Sequence, residues 1–142
     1  MPFKMNRKVV KIITLTLFLT GFALFACSKA NTFIRILGTW SRVNVIDLSS
    51  QEFEEWRFDV DDVLLINGYS KTYPDSLMYS WEGRYQVKVN LTNRFIDISG
   101  FNGGLDYMND RWDIVKSNNN ILIIVSGKQG GLVIREFTKK KN

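Results

Sequence analysis

The pattern of apolar and polar positions changes character near residue 37. Before it, the run from Ile12 to Ala26 is apolar apart from threonines and one glycine, so it has no polar face. From Leu37 onward no 3.6-residue apolar period is sustained. Stretches there alternate with period two and are rich in aromatic and β-branched residues, the pattern of half-buried strands. The clearest is 79–91, where Tyr79, Trp81, Gly83, Tyr85, Val87, Val89 and Leu91 share one face and Ser80, Glu82, Arg84, Gln86, Lys88 and Asn90 the other. Further strands are predicted over 38–47, 52–59, 63–67, 94–99, 107–116, 121–126 and 131–138. Turn formers separate them: Asp61-Asp62, Asn67-Gly68, Tyr73-Pro74-Asp75, Thr92-Asn93, Gly103-Gly104, Ser117 to Asn120 and Gly127 to Gly131. Short strands at this spacing predict an all-β antiparallel domain, an eight-stranded up-and-down barrel or, alternatively, a β-sandwich. Helix is expected only in the N-terminal segment and as one turn over 31–37.

The N-terminal block has the layout of an export signal. Lys4, Arg7, Lys8 and Lys11 precede the apolar run. That run, residues 12 to 26, is shorter than the roughly 20 apolar residues a spanning helix needs, so it fits a signal core and cleavage is expected. Its end, Leu24-Phe25-Ala26-Cys27, resembles a bacterial lipobox, with an aliphatic residue at minus three, a small one at minus one and the obligatory cysteine. Cys27 is the only cysteine, which leaves it no intramolecular partner in an oxidising compartment and makes lipid attachment the natural use of its thiol. The expected layout is a cleaved signal at 1–26, a lipidated cysteine and tether at 27–36, a β domain at 37–138 and a basic tail at 139–142. Met5 serves as well as Met1 as the start. Ser28 follows the cysteine, and the lack of an aspartate there points to the outer membrane of a diderm bacterium.

Removing the signal changes the electrostatics. Four of the 19 basic residues and none of the 14 acidic ones lie in it, so the remaining chain carries 15 against 14, a net +1. Nucleic-acid binding needs a basic stripe, and the only cluster left is Lys139-Lys140-Lys141, read as a solvated tail.

The β region also resembles a known family. Leu37-Gly38-Thr39-Trp40 resembles the Gly-x-Trp motif that opens the first strand of lipocalins and related calycins, after a helical turn that closes one barrel end. Glu55-Trp56-Arg57-Phe58, the Tyr-x-Trp-x-Gly-x-Tyr strand and the ending Val133-Ile134-Arg135-Glu136-Phe137 are similar to the small lipocalin-like domains of bacterial lipoproteins. The resemblance implies a structural trio, Gly38, Trp40 and Arg135, with the guanidinium packed over the Trp40 indole. The long lipocalins' disulfide and other signature motifs are missing, so a fold is implied more than a ligand.

Candidate chemistry is sparse. The chain has no histidine, which removes Ser/His/Asp and Cys/His nucleophile sets and the usual zinc sites, and no enzyme activity or cofactor is expected. Asp59, Asp61 and Asp62 begin like a calcium loop, but the chain turns apolar where further ligands are needed, so no metal is expected. Glu54 and Glu55 fall on opposite faces of a strand, and Asp106, Asp110 and Asp113 read as solvated outer residues. Aromatic residues are where function remains. An eight-stranded barrel either fills with side chains or keeps room for one small ligand. Trp56, Phe58, Tyr79, Trp81 and Tyr85 are the candidate lining of an apolar pocket. Two functions are compatible with this: a lipid-anchored protein binding a small hydrophobic ligand, or a protein-interaction module with a filled barrel, such as an envelope-complex subunit or an enzyme inhibitor.

Overall fold

The computed structural model describes residues 7–43, 52–127 and 131–141. A helix, α1, runs Arg7–Ile36 and is followed by eight strands: β1 Gly38–Arg42, β2 Glu52–Phe58, β3 Val63–Ser70, β4 Leu77–Val89, β5 Arg94–Ser99, β6 Arg111–Ser117, β7 Ile121–Ser126 and β8 Val133–Lys139. Each strand pairs antiparallel with the next and β8 pairs with β1, so the sheet closes into an up-and-down barrel and the sandwich alternative falls away. The seam is set by Trp40↔Lys139 and Arg42↔Phe137.

Alternation decides what is inside. Trp40, Trp56, Phe58, Leu64, Ile66, Tyr85, Val87, Ile96, Ile98, Trp112, Ile114, Leu122, Ile124 and Phe137 are buried, and along each strand they occur at every second position. The rings interlock: Trp56 lies 4.9 Å from Phe137 and 6.4 Å edge-on from Trp112, and Phe58 meets Tyr85 edge-on at 5.0 Å. The outer wall carries ion pairs, Arg57 with Asp59, Lys88 with Asp97 and Arg111 with Asp113. β3 and β7 are exceptions, because Val63 and Leu65 on the outer face of one and Ile121, Ile123 and Val125 on that of the other are only half-exposed.

Both ends of the barrel are stoppered. At one end the last turns of α1 lie across the opening: Thr32 and Ile36 are buried and Phe33 stacks on Tyr85 at 6.3 Å. The Trp40 indole N–H donates to the Ile36 carbonyl at 2.6 Å, satisfying one of the carbonyls that a helix end leaves without an intrahelical partner. At the other end the connection between β5 and β6 folds in. Phe101 and Met108 are buried, and a 3-10 turn, Asp106–Met108, replaces the strand start expected at 107. The Asn109 side-chain amide donates to the Phe101 carbonyl at 2.7 Å and accepts from its N–H at 2.9 Å, which fixes the loop. Trp112 repeats the first arrangement, donating its indole N–H to Met108 four residues earlier. Gly83 makes this plug possible: a Cβ there would sit 2.3 Å from the Phe101 ring.

Two features of the ends go beyond the strand pattern. Residues 27–36 are helical, continuous with the segment before them, where only 31–37 was expected to turn. Of the tail expected over 139–142, Asn142 lies outside the described residues, Lys139 belongs to β8, and the Lys140 ammonium donates at 2.7 Å to Glu55, itself only 6% exposed.

Candidate functional site

The five aromatic residues expected to line a pocket do not share one environment. Trp56, Phe58 and Tyr85 are part of the packed core. The Tyr85 hydroxyl donates to the Asp59 carbonyl at 2.7 Å, which ties β4 to the β2–β3 turn. Burial pushes its phenol pKa up from the ordinary 10.0, and Asp62 and Asp59 add to the shift. Tyr79 and Trp81 sit at the start of the same strand, on the rim away from α1. Tyr79 lies against Gly68, burial and then Glu54 raise its pKa, and Trp81 is 36% exposed beside Gly103.

At this plugged rim the barrel holds a charged cluster. Arg135, 6% exposed, projects inward from β8 between two indoles, 5.4 Å from the centre of Trp56 and 5.5 Å from that of Trp112. One terminal nitrogen faces Glu54 Oε1 at 3.5 Å, and the other lies 3.4 Å from the Met108 sulfur. Glu54 Oε1 also meets Arg42 at 3.5 Å and accepts the Trp56 indole N–H at 2.6 Å. Desolvation lowers the Arg135 pKa, and Arg42 lowers it further, while Glu54 and a hydrogen bond with Tyr107 oppose the shift; a guanidinium stays charged regardless. Its Nε is buried with no hydrogen-bond partner. Near the same rim Ser126 donates to the buried Asp110 carboxylate, so Asp110 is not the solvated residue expected, whereas Asp106 and Asp113 are exposed.

The trio of Gly38, Trp40 and Arg135 is corrected at its last member. The cation over Trp40 is Lys139, whose Nζ lies 4.9 Å from the ring centre, while Arg135 lies four residues earlier along β8. Gly38 stands beside Lys139 with φ +112, a conformation that L side chains rarely adopt.

Comparison with protein-family models, with curated proteins and with solved structures finds no match.

Alternation already placed Glu54 on the face of Trp56, so an interior carboxylate was open to inference. The plug residues Phe101 and Met108 had no periodic signal to mark them. Among the described residues no group of acidic or cysteine side chains is arranged to hold a metal, and no helix is long and apolar enough to cross a membrane, which says nothing of strands. Two open clefts lie outside the barrel. One, about 350 Å³, is lined by Cys27, Ser28, Asn31, Thr32, Arg35 and Arg94; the other, about 260 Å³, includes Phe53, Tyr69, Asp75 and Lys140. Cys27 itself is exposed.

Proposed function

We propose that the protein is a cell-envelope lipoprotein, held through lipid on Cys27, whose barrel works as a filled interaction module. What supports this over a small-molecule carrier is the interior: the positions that would line a ligand chamber are occupied by packed side chains, with α1 across one end and Phe101 and Met108 in the other. Charge around Arg135 is met internally by Glu54. Surface is then what the domain has to offer, and the rim opposite α1 exposes Tyr73, Leu77, Met78, Trp81 and Tyr107 to solvent. Aromatic and methionine side chains are the types enriched where proteins bind one another. The anchor sits at the other end, so this rim faces away from the membrane toward an envelope protein; the outer membrane is the site proposed.

A photo-crosslinker at Met78, compared with one at Arg57 on the wall, tests the surface in cells. Capture of one protein from Met78 only, lost in Trp81→Ala, supports the module. Native mass spectrometry showing a stoichiometric small-molecule adduct would overturn it and favour a carrier of a small hydrophobic ligand. Cys27→Ser should abolish acyl labelling, and persistent labelling would defeat the anchor.

A further inference from the structure

The cleft beside Cys27 belongs neither to the rim nor to the core. On α1, Cys27, Asn31 and Arg35 fall at i, i+4 and i+8, with Ser28 and Thr32 alongside, so they form one helical face. Across from this face stands Arg94, the first residue of β5, whose guanidinium donates to the Ser117 hydroxyl at 3.4 Å. Two arginines therefore wall a polar cleft on the same face as the sulfur that would carry lipid. Neither forms an ion pair with a carboxylate among the described residues.

The surroundings repeat the sign. Residues 27–38 contain Lys29 and Arg35 and no acidic residue, and the neighbouring turns Asn90-Leu91-Thr92-Asn93 and Ser117 to Asn120 contain none. The first of these turns is held by Asn90, whose side-chain oxygen accepts the N–H groups of Thr92 and Asn93. At its tip Leu91 is 85% exposed, an apolar side chain aimed into solvent three residues before Arg94. The acidic turn at this end, Asp59 to Asp62, joins β2 to β3 and is bonded to β4 at Tyr85, while the cleft lies by β5 at Arg94.

We propose that this end of the barrel is a membrane-docking surface, in which the Arg35–Arg94 cleft seats the phosphate of an anionic phospholipid headgroup and Leu91 enters the interface beside it. The surface rests on the reading that Cys27 carries lipid. Cys27 lies nine residues before Ile36, roughly 14 Å along the helix. An acyl chain leaving its sulfur brings the bilayer surface to the cleft, and cations with an adjoining apolar tip are what an anionic interface rewards. Docked in this way, the barrel stands upright on its anchor with the Trp81 rim outward.

The test uses the full chain made in a diderm bacterium, with intact mass reporting the acyl state. Once acylated, Cys27 is a thioether, so Leu91→Cys offers a single thiol for an environment-sensitive fluorophore, and Tyr73→Cys provides the same label at the far end. In vesicles of phosphatidylcholine with phosphatidylglycerol, the label at 91 should shift to the blue and the label at 73 should not. Arg35→Gln and Arg94→Gln should each weaken the response about fivefold, with the exposed Arg111→Gln as a control that does not. Arg35 is exposed and holds no ion pair among the described residues, so its variant reports on the surface even if Arg94→Gln disturbs the β5 end. Equal responses at 91 and 73, or an acylated protein indifferent to phosphatidylglycerol, overturns the docking surface alone. Loss of the phosphatidylglycerol response on adding inorganic phosphate at constant ionic strength assigns the cleft to the free anion and overturns the headgroup. A mass without acyl chains overturns the anchor, and the docking surface with it.

Discussion

Glu54 holds the interior charges together, and its removal should cost far more than removal of the arginine it faces. Glu54→Gln keeps an oxygen for the Trp56 indole but removes the charge that Arg135 and Arg42, each 3.5 Å away, face among the described residues. Breaking a fully buried pair costs about 3–5 kcal/mol; here the distances are long and Arg42 and Glu54 retain some water, so about 1–2 kcal/mol is expected. Glu54→Ala also strips the acceptor from the buried Trp56 N–H, at 2.6 Å the shortest contact in the cluster, and should raise the loss to about 3 kcal/mol. Arg135→Met puts an apolar chain of similar length between the two indoles and leaves Glu54 paired with Arg42. It should fall within about 1 kcal/mol of the parent, in either direction. Urea unfolding followed by tryptophan fluorescence and far-UV circular dichroism measures all three. Combining Glu54→Gln with Arg135→Met should cost less than the sum of the two changes, because part of the first loss is the stranded guanidinium. An Arg135→Met penalty as large as that of Glu54→Ala, or strict additivity in the double variant, would refute this account.

Three further outcomes are expected. Gly83→Ala drives a methyl into Phe101 and should destabilise by about 1–3 kcal/mol, with Phe101→Leu in the same chain recovering part of the loss in thermal denaturation. Tyr85 ionises near 10.0 once unfolded but only at higher pH when folded, so the unfolded state binds fewer protons and stability should fall as pH rises beyond 10. Tyr85→Phe should flatten that alkaline limb and, having lost the bond to the Asp59 carbonyl, cost about 1 kcal/mol at neutral pH, both read from denaturation across a pH series. Lys139→Ala should weaken the barrel by about 0.5–1 kcal/mol and alter Trp40 emission, while Arg135→Lys leaves Trp40 emission unchanged.

All eight strands were legible in the sequence, most of them because one face is dry and the other wet, which period-two alternation records directly; β7, apolar on both faces, is an exception. What escaped was information that lives between strands. Arg135 and Lys139 have the same parity on β8, and only the register Trp40↔Lys139 decides which cation meets Trp40. Local pattern carries no register between segments about a hundred residues apart. The 100–110 connection was read partly as strand, since Tyr107 to Lys116 contains suitable residues. Its actual shape depends on Asn109 clamping Phe101 and on the space left by Gly83, both tertiary facts. At the candidate site, alternation correctly put Trp56, Phe58 and Tyr85 on the interior face, but it does not distinguish a ring that lines a chamber from one that fills it. Lys140 was misjudged for a related reason: it occupies an outward position, and only the closure of β8 on β1 brings it to Glu55 on β2.

Closure of the sheet between β1 and β8 has a kinetic consequence. The pair Trp40↔Lys139 joins the two extremes of the barrel, so no N-terminal fragment of the chain can complete it. A chain delivered from its N-terminus would therefore finish folding only after its last strand arrives, and contacts of such long range make folding slow. Until then β1 and β7 are both unpaired edges. β7 is poorly suited to waiting, because Ile121, Ile123 and Val125 on one face and Leu122 and Ile124 on the other leave it without the charged residues that protect an open edge. Truncation before Val133 should thus yield aggregate rather than a loosened monomer, and the last strand acts as the chain's own guard against association.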